Sequence, residues 1–181
     1  MIDLKPFCGK EDIRSYLHHP FSRDEFTFAT DGRICVRVPR IAGIPERDKH
    51  EINPTKLPWD QTAEFSPLPE LKLPPQTTNI VRCHCYEGKI HECPNCECEC
   101  ENCDGSGDIK FNSDDDKSID ILALPFGLRH VRLVTTLPNV QIAKIALPND
   151  TVTGLRFKFD GGDGLLMPLR YACENHIEEA A

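Results

Sequence analysis

The sequence predicts an α+β protein: a body of antiparallel strands with two helices, interrupted by a small cysteine-rich insertion. Short alternating runs joined by Asp-Gly and Gly-Gly turns occur near both ends of the chain. Two segments, 10–18 and 126–136, carry apolar residues at helical spacing instead. Between them, the stretch Cys83–Cys103 holds seven of the ten cysteines. At 181 residues and 39% hydrophobic content, the chain suits one domain, or one domain carrying an insert.

The elements follow in order. Ile13, Tyr16 and Leu17 give residues 10–18 one apolar face, and Pro20 limits that helix. Phe26 to Val38 then reads as a hairpin about Asp31-Gly32. A two-residue loop would put the Phe side chains on the face of Arg33 and Arg37. A three-residue loop, Thr30-Asp31-Gly32, would pair Phe28 with Ile34 and Phe26 with Val36, leaving Arg33, Cys35 and Arg37 outside. The three-residue loop is the expected one, with Gly32 in the left-handed position. Eight prolines between Pro39 and Pro75 exclude a central strand or a long helix, so an extended surface connector is expected, with Trp59 packing it against the body.

Past the cysteines, Asn112–Ser118 reads as a solvated linker whose spacing does not match a calcium loop. Ile119 to Leu124 reads as a strand. In 126–136, Leu128, Val131 and Val134 fall at helical spacing, with Leu137-Pro138 as the stop. Val140 to Leu147 and Leu155 to Phe159 read as strands. The chain then turns through Asp160-Gly-Gly-Asp-Gly164 and returns as a strand over 165–171, where Pro168 implies an edge or a bulge. The expected organisation is a first body segment at 1–80 that includes the connector (39–75), a cysteine-rich module at 81–110, and a second body segment at 111–181.

The charge is as uneven as the cysteine content. Cys83–Asp116 contains ten of the 29 acidic residues and two of the 21 basic ones, so it alone carries the chain's net −8. The remainder is neutral. Cys93-Pro-Asn-Cys96 and Cys100-Glu-Asn-Cys103 are both C-x-x-C knuckles, Cys83-His-Cys85 is a tighter pair, and Cys98 adds a thiol. Thiolates at these spacings suit a tetrahedral zinc ion. No signal peptide or apolar membrane segment is legible, so the expected location is cytoplasmic, where thiols stay reduced.

One or two ions fit the set. In the nested arrangement Cys83, Cys85, Cys100 and Cys103 hold an outer ion. Cys93, Cys96 and Cys98 hold an inner one, with His91 or His84 as fourth ligand. Seven thiolates leave no open position of the kind a catalytic zinc keeps, so the sites read as structural. A redox role for Cys93–Cys96 is the rival, but its neighbours are cysteines and Glu rather than a strand and a helix. The surplus of acid makes this face repel phosphate, so the expectation is a protein partner or a purely structural role for the module rather than direct nucleic-acid binding.

Two resemblances add to this reading. Cys100-Glu-Asn-Cys-Asp-Gly-Ser-Gly107 matches C-x-x-C-x-G-x-G and resembles the repeat of the cysteine-rich region in DnaJ-type chaperones; Cys83-His-Cys-Tyr-Glu-Gly88 is a degraded copy. That resemblance implies paired zinc sites on a hairpin scaffold. Phe28–Val38, together with Gly154–Phe159 and Leu165–Arg170, is similar to segments of domains in the bacterial sliding clamp. The clamp resemblance implies a clamp-like fold, a helix at 126–136 facing DNA, and six copies to close a ring. The positive residues on the helical segments are few: Lys10 and Arg14 on the first, Arg129 and Arg132 on the second.

No nucleophile–base set or glycine-rich phosphate loop is legible. Asp31, Asp160 and Asp163 each adjoin glycine and read as turn residues; His130 has no evident partner; Cys8, Cys35 and Cys173 stand apart. The expectation is a non-enzymatic zinc-binding accessory factor with a clamp-like body, acting through a protein partner, with DNA contact possible through the body alone. The alternatives are a DnaJ-like zinc region that binds unfolded clients and a DNA-associated ring.

Overall fold

The computed structural model describes residues 2–9, 14–47, 54, 57–83, 89–93, 96–99, 106–112, 114, 117–146 and 153–169, with the backbone alone at 89–93, 96–99, 109–112 and 153. It divides into two compact units, Met1–Leu71 with Ser118–Ala181, and Lys72–Lys117. The expected module at 81–110 lies inside the second unit, which is wider at both ends.

The first unit is the body. Two 3-10 turns, Lys5–Phe7 and Ser15–Leu17, precede β1 (Phe21–Arg23), β2 (Phe26–Thr30), β3 (Ile34–Pro39) and the two-residue β4 (Ser66–Pro67). The second unit holds β5 (Thr78–Arg82), β6 (Lys89–Cys93), β7 (Cys96–Glu99) and β8 (Asp108–Asn112). The body resumes with β9 (Ser118–Ile121), β10 (Leu124–Gly127), helix α1 (Leu128–Thr135), β11 (Gln141–Ala146), β12 (Thr153–Phe159) and β13 (Gly162–Leu166). Seven of these strands form one antiparallel sheet in the order β1-β2-β3-β13-β12-β11-β4. The fold is thus mostly antiparallel sheet with one α-helix among the described residues. Of the first expected helix only Ser15–Leu17 is described as helical, as a 3-10 turn; residues 10–13 lie outside the described residues.

Both faces of the sheet are buried. Side chains alternate across a strand, and on one face Phe28, Cys35, Leu165 and Ile145 cluster with Phe21 and Trp59. On the other, Ala29, Val36, Leu155, Phe157 and Ile142 are fully buried. Trp59 does fasten the connector: its ring packs against Phe28 in the first cluster, its indole N–H donates to the Pro54 carbonyl at 2.7 Å within the connector, and β4 pairs with β11. α1 buries Leu128, His130, Val131 and Val134. No helix among the described residues is long and apolar enough to cross a membrane.

Three expectations need correction. The β2–β3 hairpin has neither of the expected registers: Phe28 pairs with Arg37, Ala29 with Val36 and Thr30 with Cys35. The Asp31 side chain is the cause. Its Oδ1 accepts from the amides of Arg33 (2.9 Å) and Ile34 (3.0 Å), and Thr30 Oγ1 donates to the Ile34 carbonyl at 2.6 Å. These bonds widen the loop and satisfy the Ile34 amide and carbonyl on the β2 side, while on its other side β3 pairs with β13, with Ile34 opposite Leu166. Ile119–Leu124 is a hairpin rather than one strand, because Leu122 and Ala123 both take the left-handed conformation (φ 53° and 59°). The closing strand starts at Gly162 and lies inside the sheet, between β3 and β12, so Pro168 follows the strand instead of marking an edge.

Gly162 and Gly164 are needed there by contact. A β-carbon on Gly164 would overlap the Phe157 ring, its cross-strand partner; one on Gly162 would overlap the Arg37 carbonyl oxygen. The glycines that read as turn formers are in part the seats of aromatic rings.

Candidate metal centre and a buried charge cluster

The cysteine-rich unit is a hairpin within a hairpin. β5 and β8 pair over Thr78↔Asn112 to Arg82↔Asp108, and the Cys83 amide extends that ladder by donating to the Gly107 carbonyl at 2.8 Å. Between these strands the chain forms the β6–β7 hairpin, in which Ile90 pairs with Cys98 and Cys93 with Cys96 across a bulge. The connectivity puts cysteines at two levels. Cys83 sits where the outer ladder ends, and Cys93, Cys96 and Cys98 occupy the inner hairpin. His91 falls in the bulged part of β6, and bulges re-aim a residue locally. Cys85, Cys100, Cys103 and His84 lie outside the described residues, and of the seven cysteines only Cys83 has a described side chain, which is buried. No group of three or more His, Cys, Asp or Glu able to hold a metal occurs among the described residues.

All five residues of β5 are exposed, with Ile80 at 62% and Val81 at 51%. An isolated two-stranded ladder is marginal in water. A bound metal would supply folding free energy to such a segment, and the donors its sequence offers, seven cysteines with His84 and His91, are of the kinds that bind zinc.

The body contains a second arrangement that sequence reasoning missed. Asp163, expected in a turn, sits in β13 and accepts from Arg37 Nε (2.6 Å) and Nη2 (3.1 Å), and from Arg156 Nη2 (3.0 Å). Arg37, expected outside, is held between rings, with its guanidinium 4.3 Å from the Trp59 centroid and 4.6 Å from that of Phe26. Arg156 also donates to the Gln61 carbonyl at 3.1 Å and lies over Phe65. The connector therefore covers the face of the sheet that carries Arg37, Arg156 and Asp163. The signal for it was in the connector: two aromatics, Trp59 and Phe65, in a proline-rich run that forms no long strand or helix of its own to bury them.

His130 gains a partner too. Its Nε2 lies 2.7 Å from Asp31 Oδ2, joining α1 to the β2–β3 loop. Burial pushes the Asp31 carboxyl up, but His130 and the Ile34 and Arg33 amides outweigh it, so its pKa falls below 3.8. The pair adjoins no activated thiol. Burial pushes Cys8 up to about 11 and Cys35 to about 12, which keeps both protonated and inert. The geometry of both clusters serves attachment: of connector to sheet, and of helix to loop. Arg129 and Arg132 lie on α1, Arg129 exposed and Arg132 half-buried. The chain matched no protein-family model, no curated protein and no solved structure.

Proposed function

We propose that the chain is a non-enzymatic, zinc-binding accessory protein whose small unit is a structural zinc module presented to a protein partner. The nested hairpins carry this reading. They bring Cys93 opposite Cys96 at the inner level and end the outer ladder at Cys83, which is the connectivity two stacked thiolate sites require. The module's net −8 steers it toward a protein rather than nucleic acid. The body is a clamp-like domain in this reading, supported by the sequence segments at 28–38, 154–159 and 165–170, and its role in DNA metabolism rests on that likeness.

Native mass spectrometry of protein purified without added metal or chelator tests it. Two zinc ions per chain are expected, and a metal-free mass overturns the module. The same spectrum gives the subunit count: a closed hexamer extends the clamp reading to ring formation, and a monomer or dimer restricts it to the fold.

A further inference from the structure

A strand at the edge of a sheet displays unpaired amides and carbonyls, and proteins guard such edges. In the body sheet β1 is covered by the chain at 45–47: the Ser22 amide donates to the Pro45 carbonyl at 2.8 Å, and Ser22 pairs with Glu46. β4 is two residues long and contains Pro67. Elsewhere β10 contains a proline, and β6, β7, β8 and β9 each carry a charged residue within the strand. β5 is different. It has no proline, its one charge is the terminal Arg82, and all five of its residues are exposed.

The register shows what this edge offers. Cys83 donates to Gly107 within the β5–β8 ladder. Hydrogen-bonded and non-hydrogen-bonded pairs alternate along an antiparallel ladder, so Val81 and Asn79 bond β8. The amides and carbonyls of Thr78, Ile80 and Arg82 then point to the edge that no other described strand pairs. Ile80 and Val81 are consecutive, so they stand on opposite faces of the ladder, and both are more than half exposed (62% and 51%). Docking onto one face would cover one of them. A strand added along the edge flanks both.

We propose that β5 takes up an extended segment of a partner protein by strand addition, and that this segment alternates apolar residues with Lys or Arg. The charge sets the occupant. The unit that carries the ladder, Lys72–Lys117, has ten acidic and five basic residues, and this net −5 outweighs Arg82 on β5 itself, attracts a basic strand and opposes β5 of a second copy. Main-chain hydrogen bonds supply affinity, and the flanking side chains supply selection. The inference rests on reading the small unit as a zinc-stabilised interaction module.

The test is a titration of the full-length protein with a short capped peptide alternating valine and lysine, followed by calorimetry, with the zinc content of the same sample read by native mass. Binding is expected, with no binding of the valine–glutamate counterpart. N-methylation of every second peptide amide blocks strand addition and leaves the protein intact; it should weaken binding about tenfold or more. Ile80→Pro removes an amide that faces outward and should weaken binding similarly without changing the zinc count. Equal binding of the N-methylated or the glutamate peptide overturns the proposal, as does absence of binding whatever the zinc content. Binding by a metal-free sample upholds the edge and overturns the zinc module, so the two readings fail separately.

Discussion

Asp163 is the residue with the most at stake in the body. Among the described residues it is the one carboxylate paired with two guanidiniums, whose side chains are 15% and 9% exposed. Asp163→Asn leaves two buried cations without a counter-charge and should cost about 3–5 kcal/mol in urea denaturation. Replacing all three groups by apolar residues (Arg37→Met, Arg156→Met, Asp163→Leu) should cost less than that single change, because no unpaired charge remains. Asp31 gives a different signature. Its folded pKa is lowered, so its contribution is complete above the unfolded value and is lost as pH falls through the folded one. Stability should therefore drop in the acid range below about pH 4, and Asp31→Asn should flatten that part of the profile while costing about 1–2 kcal/mol at neutral pH. Denaturation midpoints measured across pH check both statements. None of these pairings was legible in the sequence. Asp31 and His130 are far apart in the chain, and Asp beside Gly carries the same local signal whether it turns the chain or binds an arginine.

At the scale of elements, the sequence read well where the pattern was local. α1 lies within the predicted 126–136 and its stop at Leu137-Pro138 holds; β11 and β12 fall on their predicted runs. The misses have a common origin in contacts the local pattern does not contain. The β2–β3 register is set by the Asp31 carboxylate and by β13 on the far side of β3. The β9–β10 turn is made by Leu-Ala, which carries neither Gly nor Asn to announce left-handed backbone. β13 looked like a turn because its two glycines make room for neighbours rather than for backbone freedom. That account predicts Gly164→Ala to destabilise by about 1–3 kcal/mol through overlap with Phe157. Adding Phe157→Leu should recover part of that loss, so a double-mutant cycle should show a coupling of about 1 kcal/mol or more. Additive costs would mean that the ring does not fill the space above the glycine.

For the whole molecule, composition divides the chain much as contacts do. The body, with 19 acidic and 16 basic residues, is close to balanced in charge and buries both faces of a seven-stranded sheet. The acidic segment matches a unit whose outer ladder leaves Ile80 and Val81 in water. The first gains its stability from apolar burial. The second, if its thiolates hold zinc, gains it from metal ligation, which is lost with the ion. Chelation should then act on one unit alone. Amide exchange followed on the full chain in the presence of a strong chelator should lose protection at Val81 and Cys83, whose amides bond across the β5–β8 ladder, while Val36, Leu155 and Leu165 in the central sheet keep theirs. Acidification to protonate the thiolates should release the ions and give the same selective loss, reversed when zinc is returned at neutral pH. Protection lost in both units together would show that the body depends on the metal as well. Protection kept in both would show that the ladder is held by something other than zinc, and the purpose of seven cysteines in 21 residues would have to be sought in their redox chemistry.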